Sequence, residues 1–134
     1  MYEYPAIVRK VHDGDTIRAD IDLGFSTWIH WESLRLFGIN APELGTPEGN
    51  VSQAWLATLL PLGTNITVRT EQDRQEKYGR YLATLLLIQP DGTLLDVNAE
   101  SVRLGHAVPY SGGPRTITTT TRTRHGVTVR THQA

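Results

Sequence analysis

Two turn signals constrain this chain more than any other feature. Asp13-Gly14 and Leu23-Gly24 divide the stretch from Tyr4 to Leu36 into three strand-like runs, AIVRKV, TIRADID and STWIHWESLRL. Glycine beside a short polar or turn-forming residue suits the tight reversals of a hairpin, so the pattern predicts a three-stranded antiparallel meander. Downstream, Gly49 to Leu60 sets Val51, Ala54, Trp55, Thr58 and Leu59 near one face at helical spacing, and Pro61 and Gly63 end the run. ITVRT at 66–70 and YLATLLLI at 81–88 are strand-like, and the Pro90-Asp91-Gly92 turn leads into LLDV. Asn98 is the expected cap of a second short helix, AESVRL, with Gly105 as its terminator.

Five strands with a helix after the third and another near the end predict a mainly β, α+β domain. The expected architecture is a small closed Greek-key barrel of the OB-fold type. A chain of 134 residues has room for one such core, not two. The predicted domain spans 1–110. From Ser111 onward, an SGGP linker signal precedes TITTTTRTRHGVTVRTH, which is threonine-rich and poor in core-forming residues, and this composition predicts a disordered tail over 111–134.

Charge narrows the classes of function. The tail carries Arg115, Arg122, Arg124 and Arg130 and no acid, which leaves nine basic against fourteen acidic side chains in residues 1–110. Proteins that coat nucleic acid usually present a strongly basic face. A core with net charge -5 does not, so phosphate would have to be held by a few placed arginines and a bound cation. With no cysteine in the chain, thiolate chemistry and disulfides are excluded, and any metal sits on oxygen or imidazole. No apolar run approaches the roughly 18 residues of a membrane helix, and MYEYPAIVRK lacks the build of a secretion signal, so the expected protein does not engage membranes and is cytoplasmic unless exported by another route; a monomer is expected.

Three groups stand out chemically. Asp13-Gly14-Asp15-Thr16 sets two carboxylates around a turn; RLFGINAPE, residues 35–43, joins a strand-end arginine to a loop with an amide and a glutamate; Lys77-Tyr78-Gly79-Arg80 precedes an apolar strand. Each alone reads more simply as a solvated turn or loop. Their order and spacing together resemble the signature of the staphylococcal nuclease family across roughly Ala6 to Tyr110.

That resemblance implies a calcium-dependent phosphodiesterase acting on DNA, with RNA as a second substrate class. It implies that Arg35 and Arg80 clamp the phosphate in its pentacoordinate transition state, where paired guanidinium donors suit the developing charge. Glu43 takes the place of the general base that activates water. Asp15, the side chain of Asn40 and the carbonyl of Ala41 take the places of the Ca²⁺ ligands, with another divalent cation as the alternative. Lys77 and Tyr78 resemble residues that hold a terminal phosphate, and Tyr110 lies near the position of a tyrosine under a base.

The chain also departs from the family's best-known pattern. That pattern has aspartate at the position of Asn40 and threonine at that of Ala41, so the charge of one ligand and a hydroxyl are lost, and weaker calcium binding is expected. It also continues into a third helix where this chain has its threonine-arginine tail. The five histidines, His12, His30, His106, His125 and His132, lack paired ligand spacing, and His12 beside the Asp13 turn and His30 between Trp28 and Trp31 are expected to pack or lie exposed. The competing reading is a non-catalytic barrel that binds single-stranded nucleic acid, with a structural or protein-interaction barrel ranked last.

Overall fold

A computed structural model of the chain describes residues 2–75, 79–110, 116–123 and 126–133. The meander forms as β1 (Glu3–Asp13), β2 (Thr16–Gly24) and β3 (Thr27–Leu36), paired antiparallel in sequence order. Two residues, Ile39–Asn40, make β4, and the helix α1 (Pro47–Leu59) follows. Next come β5 (Asn65–Gln75), antiparallel to β1, and β6 (Tyr81–Ile88), antiparallel to β5. Strand β6 then meets β3 in parallel, with Leu34, Arg35 and Leu36 opposite Tyr81, Leu82 and Ala83. This last pairing closes a five-stranded barrel of the OB-fold type. A short β7 (Leu94–Asp96) extends the sheet beside β6, and the helix α2 (Val97–Arg103) follows it. Strand β8 (Val108–Pro109) pairs with β4.

The barrel interior is filled by alternate residues of each strand. Val8, Ile17, Ala19, Leu34, Leu36, Val68, Ala83 and Leu85 are buried, and Leu56 and Leu60 of the α1 segment and Val97 of α2 pack into the same core. Burying one such Leu or Val side chain contributes roughly 1.5–3 kcal/mol, so this cluster carries most of the drive to close the barrel.

Both helices differ from their sequence-based expectation. α1 starts two residues earlier than predicted because Thr46 caps it, its side-chain oxygen accepting from Gly49 N, with Pro47 in the first turn. Its buried stripe is Gly49, Ser52 and Leu56, flanked by Trp55 and Leu59, and Val51 of the predicted face is 59% exposed. Small residues lead this stripe because the helix lies close against the loops beside it. In α2 the cap is Asp96, whose carboxylate accepts from Ala99 N, and not Asn98. Asn98 is buried instead: its Oδ1 accepts from Leu85 N (3.1 Å), and its Nδ2 donates to Phe37 O (2.9 Å) and Ala83 O (3.0 Å). One side chain thereby ties the end of β3 to β6.

Among the described residues no helix follows α2. The segment whose composition points to disorder contains β9 (Thr116–Thr123) and β10 (Gly126–Gln133), paired antiparallel as a separate two-stranded sheet. Threonine and valine crowd these strands, and β-branched residues favour extended backbone even where few side chains could build a core. No described helix is long and apolar enough to cross a membrane.

Candidate active site

The turn between β1 and β2 presents the first carboxylates. Asp13 Oδ1 accepts from Asp15 N (3.0 Å), an Asx-type turn that holds Asp15 inward, where it is 5% exposed. Gly14 is required by packing: a Cβ there would lie 2.0 Å from Ser52 Oγ and 2.7 Å from Ala41 Cβ. Helix α1 and the β4 loop therefore close directly on this turn. Burial raises the pKa of Asp13 above its ordinary value, and the hydrogen bond to Asp15 and the charge of Asp15 raise it further.

Asp15 is the hub. Its Oδ1 accepts from Thr16 Oγ1 (3.1 Å), and its Oδ2 accepts from Ala41 N (2.9 Å) and sits 3.1 Å from Arg35 Nη1. Arg35 also donates through Nη2 to Ile39 O (3.2 Å) and Asn40 Oδ1 (3.0 Å), while its guanidinium lies 5.7 Å from the centre of the Tyr110 ring. Tyr110 is held there by its own N–H, which donates to Gly38 O (2.8 Å). A cation over an aromatic face gains roughly 0.5–1 kcal/mol at a partly exposed site, enough to bias the guanidinium plane.

Arg80 reaches the same place by topology. It immediately precedes β6, and the parallel pairing of β6 with β3 brings it beside the Thr16–Arg35 pair, where its Nη1 donates to Thr16 Oγ1 (3.1 Å). Glu43 lies on the loop from β4 to α1. Its carbonyl accepts from Thr46 Oγ1 (2.7 Å) and Thr46 N (3.2 Å), and Gly49 makes close approach possible, since a Cβ at that position would be 1.9 Å from Glu43 O. The glutamate side chain itself is exposed.

These groups line one open cleft of about 590 Å³, walled by His12, Asp13, Asp15, Arg35, Asn40, Ala41, Pro42, Glu43, Leu44 and Arg80. Thus the sequence-predicted Asp15, Arg35, Asn40, Ala41, Glu43 and Arg80 all meet there, with Tyr110 behind Arg35. Lys77 and Tyr78 lie outside the described residues. Sequence reasoning missed the bracing role of Asn98, which among Asp96, Glu100 and Ser101 carries no distinguishing signal, and the closeness of Gly49 to Glu43.

Among the described residues no three of His, Asp and Glu converge as a ready-made metal site. The donors that do converge are the Asp15 carboxylate and the Asn40 amide oxygen, both around the single positive charge of Arg35, with Asp13 directly behind. Oxygen donors already organised about one cation suit a hard divalent ion that keeps several waters. Two guanidinium groups and an exposed carboxylate lining one cleft can grip a phosphate and orient a water against it.

No family model matches the chain. It is similar to Endonuclease YhcR of Bacillus subtilis (strain 168), 32% identical over 119 residues, an alignment that takes in 81% of this chain and 9% of that protein. The chain thus spans under a tenth of the length of the curated relative it matches.

Proposed function

We propose that this domain is a nuclease of the staphylococcal nuclease type, hydrolysing phosphodiester bonds in DNA, and in RNA as a second substrate class, with a divalent cation, calcium first. The observation that carries the reading is that Arg35, Glu43 and Arg80, from three separate segments, line the cleft that also holds Asp15, Asn40 and Ala41. A likeness to a protein named as an endonuclease supports it.

In this reading Arg35 and Arg80 bind the scissile phosphate from two sides and gain strength as charge builds on its oxygens. Glu43 takes a proton from the water it orients, and the exposure of that carboxylate lets the water arrive from solvent. Asp15, Asn40 and the carbonyl of Ala41 would hold the cation, which when bound neutralises a phosphate oxygen. Asp13 and Thr16 keep Asp15 in place. Lys77 and Tyr78 would contact a terminal phosphate, and Tyr110 orients Arg35 from beneath.

The test is cleavage of single-stranded DNA, duplex DNA and RNA in Ca²⁺, Mg²⁺, Mn²⁺ and excess chelator, with Glu43→Ala alongside. Metal-dependent cutting that the variant lacks supports the reading. Binding without cutting in every metal would replace it with the non-catalytic nucleic-acid-binding barrel.

A further inference from the structure

The hairpin of β2 and β3 carries an unusual aromatic surface. Phe25 at its tip is 103% exposed, Trp31 51% and Trp28 39%, and Leu23 and Ile29 are exposed beside them. Two of these positions, Phe25 and Trp31, together with Ser26, are also conformationally costly or held. Phe25 and Ser26 take φ of 54° and 59° in a turn where Asn-Gly would be usual, and Trp31 has φ 58°. The Trp31 bulge is fixed on both sides, its N–H donating to Asp20 Oδ1 (2.8 Å) and its C=O accepting from Arg18 Nη1 (3.1 Å). A bulge so secured re-aims the strand and keeps an indole in solvent, which burial alone would never select.

The register shows where this surface leads. Thr16 faces Arg35, Arg18 faces Ser33 and Asp22 faces Trp28, while Ile17, Ala19 and Ile21 point into the barrel. His30 joins the outer row through Asp20, its Nδ1 3.2 Å from Asp20 Oδ2. The outward positions of β2–β3 therefore form one track from Arg35 through Arg18 to His30 and Trp28, with Thr16 and Asp20 buried beneath its more exposed side chains. At about 3.3 Å per residue, it runs roughly 15–23 Å from the cleft. At its far end the Trp28 and His30 rings are parallel to within 5° with centroids 6.4 Å apart.

We infer that this track is an extended subsite for single-stranded nucleic acid: bases of the strand leaving the cleft stack on Trp28 and His30, and Arg18 meets the backbone between them. The inference rests on the nuclease reading and deepens it. Stacking on aromatic faces tolerates any base, and a guanidinium midway supplies phosphate contact in a domain whose overall charge offers little. A strand of several nucleotides would bridge the distance, so only substrates longer than a dinucleotide reach the platform.

The experiment compares wild type, Trp28→Ala and Trp28→Phe in the full chain, on a 12-nucleotide oligothymidylate and on a thymidine dinucleotide. Loss of one stacking partner predicts a roughly 5- to 100-fold rise in the KM ratio of 12-mer to dinucleotide in Trp28→Ala, most of it recovered in Trp28→Phe. A ratio equal to wild type overturns the subsite while leaving the nuclease reading intact. Should wild type cleave neither, the nuclease reading fails, and binding of the 12-mer in chelator, read by fluorescence anisotropy, decides the subsite: weaker binding by Trp28→Ala supports it and equal binding overturns it. Self-association in sedimentation that Trp28→Ala abolishes, with 12-mer binding unchanged, would assign the patch to a second copy of the chain and also overturn it.

Discussion

Arg35 and Asp15 share a 3.1 Å ion pair whose arginine is also held, 3.0 Å away, by Asn40 Oδ1. The two side chains proposed as cation ligands thus grip the residue proposed as phosphate clamp. A divalent cation would compete with Arg35 for the same oxygens and release guanidinium donors toward the cleft. Because Asn40 brings no charge, Asn40→Asp is expected to lower the half-saturating Ca²⁺ concentration by about tenfold or more, measured by calcium titration of activity and by calorimetry.

Arg80→Lys keeps the charge but loses the planar pair of donors. On the proposed mechanism kcat falls by roughly 10²–10³, with little change in melting temperature, because the substitution keeps the charge and alters no side chain of the hydrophobic core. Steady-state kinetics beside thermal melting checks this.

Gly49→Ala tests how the loop bearing Glu43 is placed. The added methyl would meet Glu43 O at 1.9 Å, so either helix or loop must move. Displacement of a catalytic group by about 1 Å can cost on the order of 100-fold in rate. The expected outcome is a loss of kcat out of proportion to a stability change of about 1–3 kcal/mol.

Asn98→Ala removes one acceptor and two donated hydrogen bonds in the interior. At about 1 kcal/mol each, with unmet partners left buried, the variant should lose about 3 kcal/mol or more in urea unfolding. The Leu variant, though similar in volume, should do no better, since it leaves the same backbone groups unpaired.

Asp20 predicts an acid dependence. The N–H of Trp31, then the Arg9 guanidinium (2.8 Å) and the His30 ring lower its pKa to about 2. A group with a depressed folded pKa stabilises above its unfolded value, near 3.8, and that stability is lost as pH falls from about 4 toward 2. Hydrogen bonds also lower Asp91 and Glu100, so the informative quantity is the difference between wild type and Asp20→Asn in melting temperature from pH 6 to pH 2. The two curves should converge in acid.

Much of the barrel was legible because its strands alternate and its turns carry glycine. β6 spans Tyr81–Ile88 as the apolar run reads, and β2 and β3 begin within a residue of their predicted starts. The buried face of α1 was not legible, since Gly49 and Ser52 are selected by how closely neighbouring loops approach, which no hydrophobic period records. Asn98 misled for a related reason: its chemistry suits a helix cap, and only the folded chain reveals three backbone partners around it. Motif order could group Asp15, Arg35 and Glu43. It could not show that Arg35 spends its donors on Asp15, Ile39 and Asn40, or that the hairpin would leave three aromatics in water.

The parallel pairing of β3 with β6 has a kinetic corollary. Leu34 to Leu36 meets Tyr81 to Ala83 across more than forty intervening residues, and such distant pairings form slowly because chain entropy must be spent before the contact repays it. The two arginines are neighbours only after that seam has zipped. On the proposed mechanism, hydrolytic competence would then wait on a long-range pairing, leaving chains that have not yet made it harmless to the nucleic acid around them.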